Sequence, residues 1–293
     1  MNENGLKISV ITASYNYAEL IKETIESVLS QTYQNWEMII VDDGSKDNSV
    51  EVIKEYCKKD SRIKLFQHEN GENKGLIKTV QFGIEKASSN WVAFLESDDI
   101  WQNNYLEEKV KVINSADDVK FIFNDVEFFG DQEQIHVYDE YMGRRKAMLA
   151  GDKISYIDFL NDNPIQTFSC VMVRKDLISS IDFNAASPQN VDRYLWAQII
   201  IKTKVYYIEK NLTMWRMHSN SYINSMNRRA NVNNLTNILK ILDESHHNKI
   251  WSKIYNFINI PALEKLFRPQ VRFASNIMIN HLLKGKTCDI IHM

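Results

Sequence analysis

The chain has 293 residues, of which 44% are hydrophobic and 25% are charged, which suits one large or two modest domains with a substantial core. A formal net charge of −3 argues against a general nucleic-acid-binding protein. Cys57, Cys170 and Cys288 lie far apart and indicate no disulfide framework, as is typical of a reducing compartment.

The start of the sequence shows no secretory targeting pattern. Residues 1–10 lack the charged, then apolar, then small-residue order of a secretory signal peptide. No uninterrupted apolar stretch is long enough to span a bilayer. We therefore expect a cytoplasmic protein.

The first hundred residues alternate between two hydrophobic periods. Apolar, β-branched runs predict buried strands at residues 7–13, 36–41, 62–67 and 91–95. Apolar residues at helical spacing lie between the runs, as in Leu20, Ile21, Ile25, Val28 and Leu29. Strand alternating with helix predicts an α/β fold, a Rossmann-like and mostly parallel sheet with helices on both faces.

The second half of the sequence is less regular. Strand patterns appear at residues 120–129, 168–175 and 204–209, and a helix pattern at 191–201. Residues 130–153 show little pattern and predict a loop. Apolar stripes after residue 230 predict helices, so we divide the chain into a domain at 1–229 and a helical C-terminal extension at 230–293.

Polar loops follow three of the predicted strands. They read SYN at 14–16, DDGS at 42–45 and ESDD at 96–99. In open α/β sheets, ligands bind beyond the carboxyl ends of the strands. We therefore expect the three loops to converge on one crevice.

The acidic loop has more than one interpretation. Residues 97–99 could cap and turn into the following helix. Alternatively, closely spaced carboxylates suit a hard cation such as Mg²⁺ or Mn²⁺, which offsets their mutual repulsion. The Asp-Gly pair of the second loop is also an ordinary turn signal.

Taken together and in this order, the motifs carry a specific resemblance. The stretches SVITASYNYAELIKETIESVLSQTYQNWEMIIVDDGSKDNS and NKGLIKTVQFGIEKASSNWVAFLESDDIW resemble the N-terminal half of the family-two glycosyltransferases. The resemblance is dense over residues 6–101 and sparser to about 221. It implies the GT-A fold and transfer of a sugar, usually with inversion, from a nucleotide-diphosphate donor to a hydroxyl of a glycan or lipid-linked acceptor. Such a reaction suits bacterial-type surface polysaccharide synthesis.

The resemblance also implies roles for the loop residues. Thr12, Ser14 and Tyr15 would lie against the nucleotide, and Asp43 would bind its base. Lys78 is a candidate donor contact, because Thr79, Val80 and Gln81 stand where the family often has Ala-Arg-Asn.

The ESDD loop stands where the family has its DXD-type metal motif, with Glu96 in place of the first aspartate. The resemblance implies that Asp98 faces both ribose and metal and that Asp99 holds the Mn²⁺ or Mg²⁺ ion. The ion would draw charge from the departing diphosphate.

Two later motifs complete the expected site. In QNVDRYLW (189–196), Val191 replaces the family's glutamate, and Asp192 is the expected general base, with helix capping as the alternative. In MWRMHSNSY (214–222), Arg216 and His218 could meet the diphosphate, although His218 could equally be structural.

Two functions other than sugar transfer are also compatible with a sheet and acidic loops of this kind. A sugar-nucleotide pyrophosphorylase would open with a Gly-rich, basic loop, which TASYNYAE is not. A degenerate transferase that only binds a nucleotide sugar, or acts as a scaffold, is the alternative that a turnover assay separates. The C-terminal stripes suggest core packing, a homodimer surface, or peripheral contact with the inner face of a membrane.

Overall fold

The computed structural model describes residues 5–136, 138–155, 159, 163–183, 191–219 and 287–293. Its strands are β1 Ile8–Ser14, β2 Trp36–Asp42, β3 Ile63–Gln67, β4 Trp91–Phe94, β5 Ile100–Trp101, β6 Phe121–Gly130, β7 Lys153–Ser155, β8 Val171–Arg174, β9 Val205–Met217 and β10 Thr287–His292. Its α-helices are α1 Leu20–Leu29, α2 Ser49–Lys59, α3 Leu76–Lys86, α4 Tyr105–Ile113, α5 Gln132–His136, α6 Asp139–Leu149, α7 Lys175–Ser179 and α8 Val191–Ile200.

The strands form one sheet in the order β3-β2-β1-β4-β8-β6-β9-β10-β7, with β5 paired to β9. The four strands β1 to β4 run parallel, as the sequence predicts. Strand β8 is antiparallel to both of its neighbours, β4 and β6. The predicted mixed α/β fold with a mostly parallel sheet is confirmed.

Each face of the sheet is buried under helices. On one face, Val10 and Ile40 pack with α1, α2 and α4. On the other face, Ile11 and Val41 pack with α3 and α8. Neighbouring residues of these strands point alternately to the two faces, and both faces are buried. The strands are therefore apolar at nearly every position.

A buried carboxylate fixes the edge of the sheet opposite the strands' carboxyl ends. Glu37 is 1% exposed and accepts hydrogen bonds from Ser9 Oγ (2.8 Å), Lys64 Nζ (2.8 Å) and the Ser88 backbone N–H (2.8 Å). Burial alone would raise the pKa of Glu37, but the hydrogen bonds from Lys64, Ser88 and Ser9 outweigh it and hold the pKa far below its usual range. This carboxylate therefore links β1, β2, β3 and the turn before β4.

The predicted loop at 130–153 is wrong, because α5, α6 and the start of β7 occupy it. Apolar residues do not recur at helical spacing in α6, so the sequence gives no periodic signal. A buried ion pair fixes α6 to the sheet instead: Arg145 is 3% exposed and its Nη1 lies 2.6 Å from Asp125 Oδ1 on β6.

The helical prediction for 230–293 is wrong at its end. Thr287–His292 form β10, which pairs with β9 in parallel and with β7 in antiparallel. Strand β10 lies in the same sheet as the N-terminal strands. Its side chains Cys288 and Ile290 are buried in the core on one face of that sheet, which holds the strand in place. The boundary near 229 and the predicted helices of 230–286 lie outside the described residues. In the described part of the chain, no helix is both long and apolar enough to cross a membrane.

Candidate active site

The carboxyl ends of β1, β2 and β4 open into a cavity of about 1400 Å³. The loops SYN, DDGS and ESDD converge here, together with the end of β9. The sequence-predicted residues that line the cavity are Ser14, Tyr15, Asp43, Glu96, Asp98, Arg216 and His218.

Two predicted donor contacts lie elsewhere. Thr12 is fully buried within β1 and does not line the cavity. Lys78 is exposed on α3, outside the lining, and its neighbours Thr79 and Val80 face the cavity instead. A helix turns by about 100° per residue, so adjacent positions cannot all face one side. Lys78 therefore lies outside the cavity in this arrangement, and its contact with the donor stays a prediction.

Asp43 fixes the loop that precedes α3. Its carboxylate accepts the backbone N–H groups of Lys74 (2.7 Å) and Gly75 (3.0 Å), and His68 Nε2 lies 3.6 Å from Oδ1. Gly44 has a φ of 78°, and a Cβ there would lie 2.7 Å from the carbonyl oxygen of Gly71. Only glycine allows the end of β2 and this loop to approach so closely. The DDGS segment therefore forms a turn and also, through Asp43, lines the cavity.

Asp98 is the acid that faces the cavity with an imidazole beside it. His218 Nε2 lies 3.1 Å from Asp98 Oδ2. The Tyr17 hydroxyl also donates to Asp98, and the Tyr17 ring meets the His218 ring edge-on at 5.7 Å. Burial and then the charge of Asp98 raise the pKa of Tyr17, so it stays a hydrogen-bond donor. Tyr17 directly follows the SYN loop but was not among the predicted site residues.

Asp99 has a different environment. It is fully buried, does not line the cavity, and accepts hydrogen bonds from Ser169 Oγ (2.6 Å) and the backbone N–H of Arg216 (3.0 Å). Burial, then the charges of Asp98 and Glu96, raise its pKa well above the usual range. This placement argues against the predicted metal role of Asp99, because its carboxylate is buried away from the cavity. It ties the end of β4 to β9.

Arg216 lines the cavity but is held by protein groups. Its Nε donates to the carbonyl oxygen of Asp98 (2.8 Å), and its Nη2 donates to Glu23 of α1 (2.7 Å). The guanidinium also lies over the ring of Phe129, 4.4 Å from its centroid. In this state Arg216 braces the Asp98 loop.

A segment that the sequence analysis did not single out, residues 163–169, binds the remaining acids. Thr167 Oγ1 donates to Glu96, and Ser169 Oγ accepts the backbone N–H of Glu96 (2.9 Å). Asn163 Nδ2 donates to Asp192 Oδ2 (2.9 Å) in the first turn of α8. No local spacing in the sequence marks these contacts, since they join positions about 30 to 70 residues apart.

The acids of this site repel one another. Burial, then the charge of Asp98, raise the pKa of Glu96 to about 8, and the charge of Asp192 adds to the shift. Burial also raises the pKa of Asp192. Asp192 does not line the cavity itself but lies close enough to Glu96 for their charges to interact.

The residues fit a divalent cation that is completed by a ligand. Within the described ranges, no three His, Cys, Asp or Glu side chains form a metal site by themselves. Mg²⁺ and Mn²⁺ commonly take one or two protein carboxylates and fill the remaining positions with water and phosphate. Asp98 and His218 are the side chains at the cavity that could hold such an ion.

An α/β sheet whose strand ends bring Asp43, Asp98 and His218 to one cavity is the architecture of the GT-A nucleotide-sugar glycosyltransferases. Residues 9–182 match the family described as Glycosyl transferase family 2. The chain belongs to that family and is a glycosyltransferase.

Three bacterial relatives illustrate the similarity. The UDP-Glc:alpha-D-GlcNAc-diphosphoundecaprenol beta-1,3-glucosyltransferase WfgD of Escherichia coli is 32% identical over 193 residues, which cover 66% of this chain and 69% of WfgD. GlyG of Streptococcus pneumoniae is 27% identical over 73% of this chain and 72% of its own. The glycosyltransferase TuaG of Bacillus subtilis is 42% identical over 104 residues, only 40% of its length.

Solved structures confirm the fold. S. aureus TarS 1-349 in complex with UDP-GlcNAc superposes with a TM-score of 0.64 at 15% identity, over 96% of this chain and 76% of that one. The mannosyltransferase PcManGT from Pyrobaculum calidifontis, in complex with GDP-Man and Mn²⁺, superposes with a TM-score of 0.57 at 14% identity. The match covers 95% of this chain and 76% of that one.

Proposed function

We propose that the chain is an inverting, metal-dependent glycosyltransferase that moves a hexosyl group from a nucleotide-diphosphate sugar to a hydroxyl of a glycan or lipid-linked glycan. One observation carries the proposal. Asp43, Asp98 and His218 meet at a single cavity, and a further carboxylate, Asp192, lies outside its lining but near Glu96. This arrangement separates a donor-binding side from an acid–base group.

The donor side is assigned as follows. Tyr15, 45% exposed at the cavity, offers a ring face to the base, and Asp43 offers an acceptor to its N–H group. Glu96 and Asp98 face ribose and diphosphate. We assign the metal contact to Asp98 and no longer to Asp99, with His218 beside it. A bound Mn²⁺ or Mg²⁺ would neutralise charge on the leaving diphosphate.

Asp192 is assigned as the general base. It takes the proton of the acceptor hydroxyl as that oxygen bonds to the anomeric carbon. The anomeric bond to the diphosphate oxygen breaks, and its electron pair leaves with the nucleoside diphosphate. Burial raises the pKa of Asp192 and so makes its carboxylate a better proton acceptor than an ordinary aspartate.

The acceptor class rests on the relatives. WfgD is named for a diphosphoundecaprenol-linked acceptor, which supports a lipid-linked glycan and a role in bacterial surface polysaccharide synthesis. A location in the cytoplasm or at the inner membrane face, and a homodimer, stay predictions, because the segment that suggested the membrane and dimer surfaces lies outside the described residues.

The first experiment measures thermal stabilisation by UDP-glucose, UDP-N-acetylglucosamine and GDP-mannose, each with Mn²⁺ and with EDTA. A ligand that binds only the native state stabilises it by RT ln(1 + [L]/Kd), so the melting temperature of the protein rises with ligand concentration. Release of nucleoside diphosphate from the stabilising donor then tests turnover. Stabilisation without any release would favour the degenerate binding module, whereas no stabilisation by any donor would overturn the donor assignment.

A further inference from the structure

The segment 163–169 contacts three acids of the site. Asn163 donates to Asp192, Thr167 donates to Glu96, and Ser169 donates to Asp99. One short stretch therefore joins the end of β4, which faces the donor, to the first turn of α8. The spacing between the donor side and the proposed base depends on this stretch.

The segment is itself held at its start by buried contacts. The backbone N–H of Asn163 donates to the Phe159 carbonyl oxygen (2.9 Å). Arg145 Nε donates to the Pro164 carbonyl oxygen (2.7 Å), and the same guanidinium is paired with Asp125. Asn163 is thus fixed from both sides, at a backbone φ of 20° where asparagine and glycine are the favoured residues.

We propose that Asn163 is a positioning residue for Asp192: its amide holds the carboxylate in the rotamer that faces the acceptor hydroxyl. The proposal rests on the assignment of Asp192 as the base. A carboxylate with one oxygen bonded to a fixed amide loses rotational freedom, and the reacting oxygen then waits in place.

The charged groups that face Asp192 make its proton affinity sensitive to this bond. Burial raises the pKa of Asp192, while its helix neighbour Arg193 and the amide of Asn163 lower it. Glu96 lies near it at the end of β4, and the charge of Asp192 raises the pKa of Glu96. Loss of the Asn163 amide therefore raises the pKa of Asp192 and moves the acid limb of the rate profile to higher pH.

Two variants remove the amide in different ways. Asn163→Gly suits the backbone angle and deletes only the side chain, whereas Asn163→Asp keeps the shape and replaces the N–H donor with an oxygen. Matched controls are Asn114→Gly and Asn114→Asp at the exposed end of α4. Asp192→Asn tests the base itself. The readouts are kcat and kcat/KM for UDP release from pH 5 to 9, and UDP affinity with Mn²⁺.

We expect both Asn163 variants to lower kcat by about 10-fold or more at every pH and to move the acid limb upward, with UDP affinity unchanged. Asp192→Asn should lose about 10²- to 10⁴-fold, and the Asn114 variants nothing. The positioning role alone would be overturned if Asp192→Asn is inactive while the Asn163 variants match the wild type in kcat and in pH profile. Near-normal transfer by Asp192→Asn would overturn the base assignment, and the positioning role with it.

Discussion

Replacing Asp99 with alanine separates a structural carboxylate from a metal ligand. The substitution leaves the Ser169 hydroxyl and the Arg216 backbone N–H without their acceptor in a fully buried position. Each buried donor that loses its partner costs about 1–3 kcal/mol. Relief of repulsion with Glu96 and Asp98 offsets part of this cost. We expect a net loss of about 2 kcal/mol in the free energy of unfolding, or about 5 °C in melting temperature for a chain of this size.

The matched variant is Asp98→Ala, whose carboxylate lies at the cavity and bonds to Tyr17 and His218, two residues that line the same cavity. We expect it to keep stability within about 1 kcal/mol of the wild type but to lose the Mn²⁺ dependence of UDP binding. Denaturant titration measures the first quantity and calorimetry with and without EDTA the second. The reasoning is refuted if Asp99→Ala is as stable as the wild type and has lost its metal-dependent UDP binding.

Three further outcomes follow from the same contacts. Asp43→Ala should weaken UDP binding with the sheet intact; unchanged affinity by calorimetry would remove Asp43 from the site. Asp192→Asn should keep UDP affinity while transfer falls about 10²- to 10⁴-fold, and loss of UDP binding instead would indicate a donor-side role. Glu37→Gln should destabilise the fold most near pH 7. Because the pKa of Glu37 is lower in the folded than in the unfolded state, its carboxylate stabilises the fold at pH values above the unfolded pKa. This stabilisation is lost as the pH falls from the unfolded pKa through the folded pKa. Urea titrations at pH 7 and pH 4 should therefore show a smaller gap from the wild type at pH 4, and an equal gap would contradict this.

The parts of the molecule that sequence predicted well are those encoded locally. Strands β1 to β4 are apolar runs next to helices of clear period, and the polar residues after them must meet because parallel strands end at one edge. The predicted metal role of Asp99 stays a prediction, because nothing in the letters ESDD says which carboxylate points to the cavity. That depends on Ser169 and on Arg216, which is 117 residues away in sequence.

Other features had no local signal at all. Helix α6 lacks a periodic apolar stripe and depends on the Arg145–Asp125 ion pair. Asn163 looks like any loop asparagine until α8 brings Asp192 within 2.9 Å. Strand β10 is short and follows a stretch of helical pattern, so its pairing with β9 is set by the finished sheet.

The pairing of β10 changes how residues 218–286 should be regarded. Strand β9 ends at Met217 beside the cavity, while Ile290 of β10 is in register with Val205, at the opposite end of β9. The segment of residues 218–286 therefore joins two points at opposite ends of β9, and both β9 and β10 belong to one sheet. Its first residue, His218, touches Asp98. A ligand that displaces this imidazole therefore acts on the residue that directly follows β9, the strand with which β10 pairs.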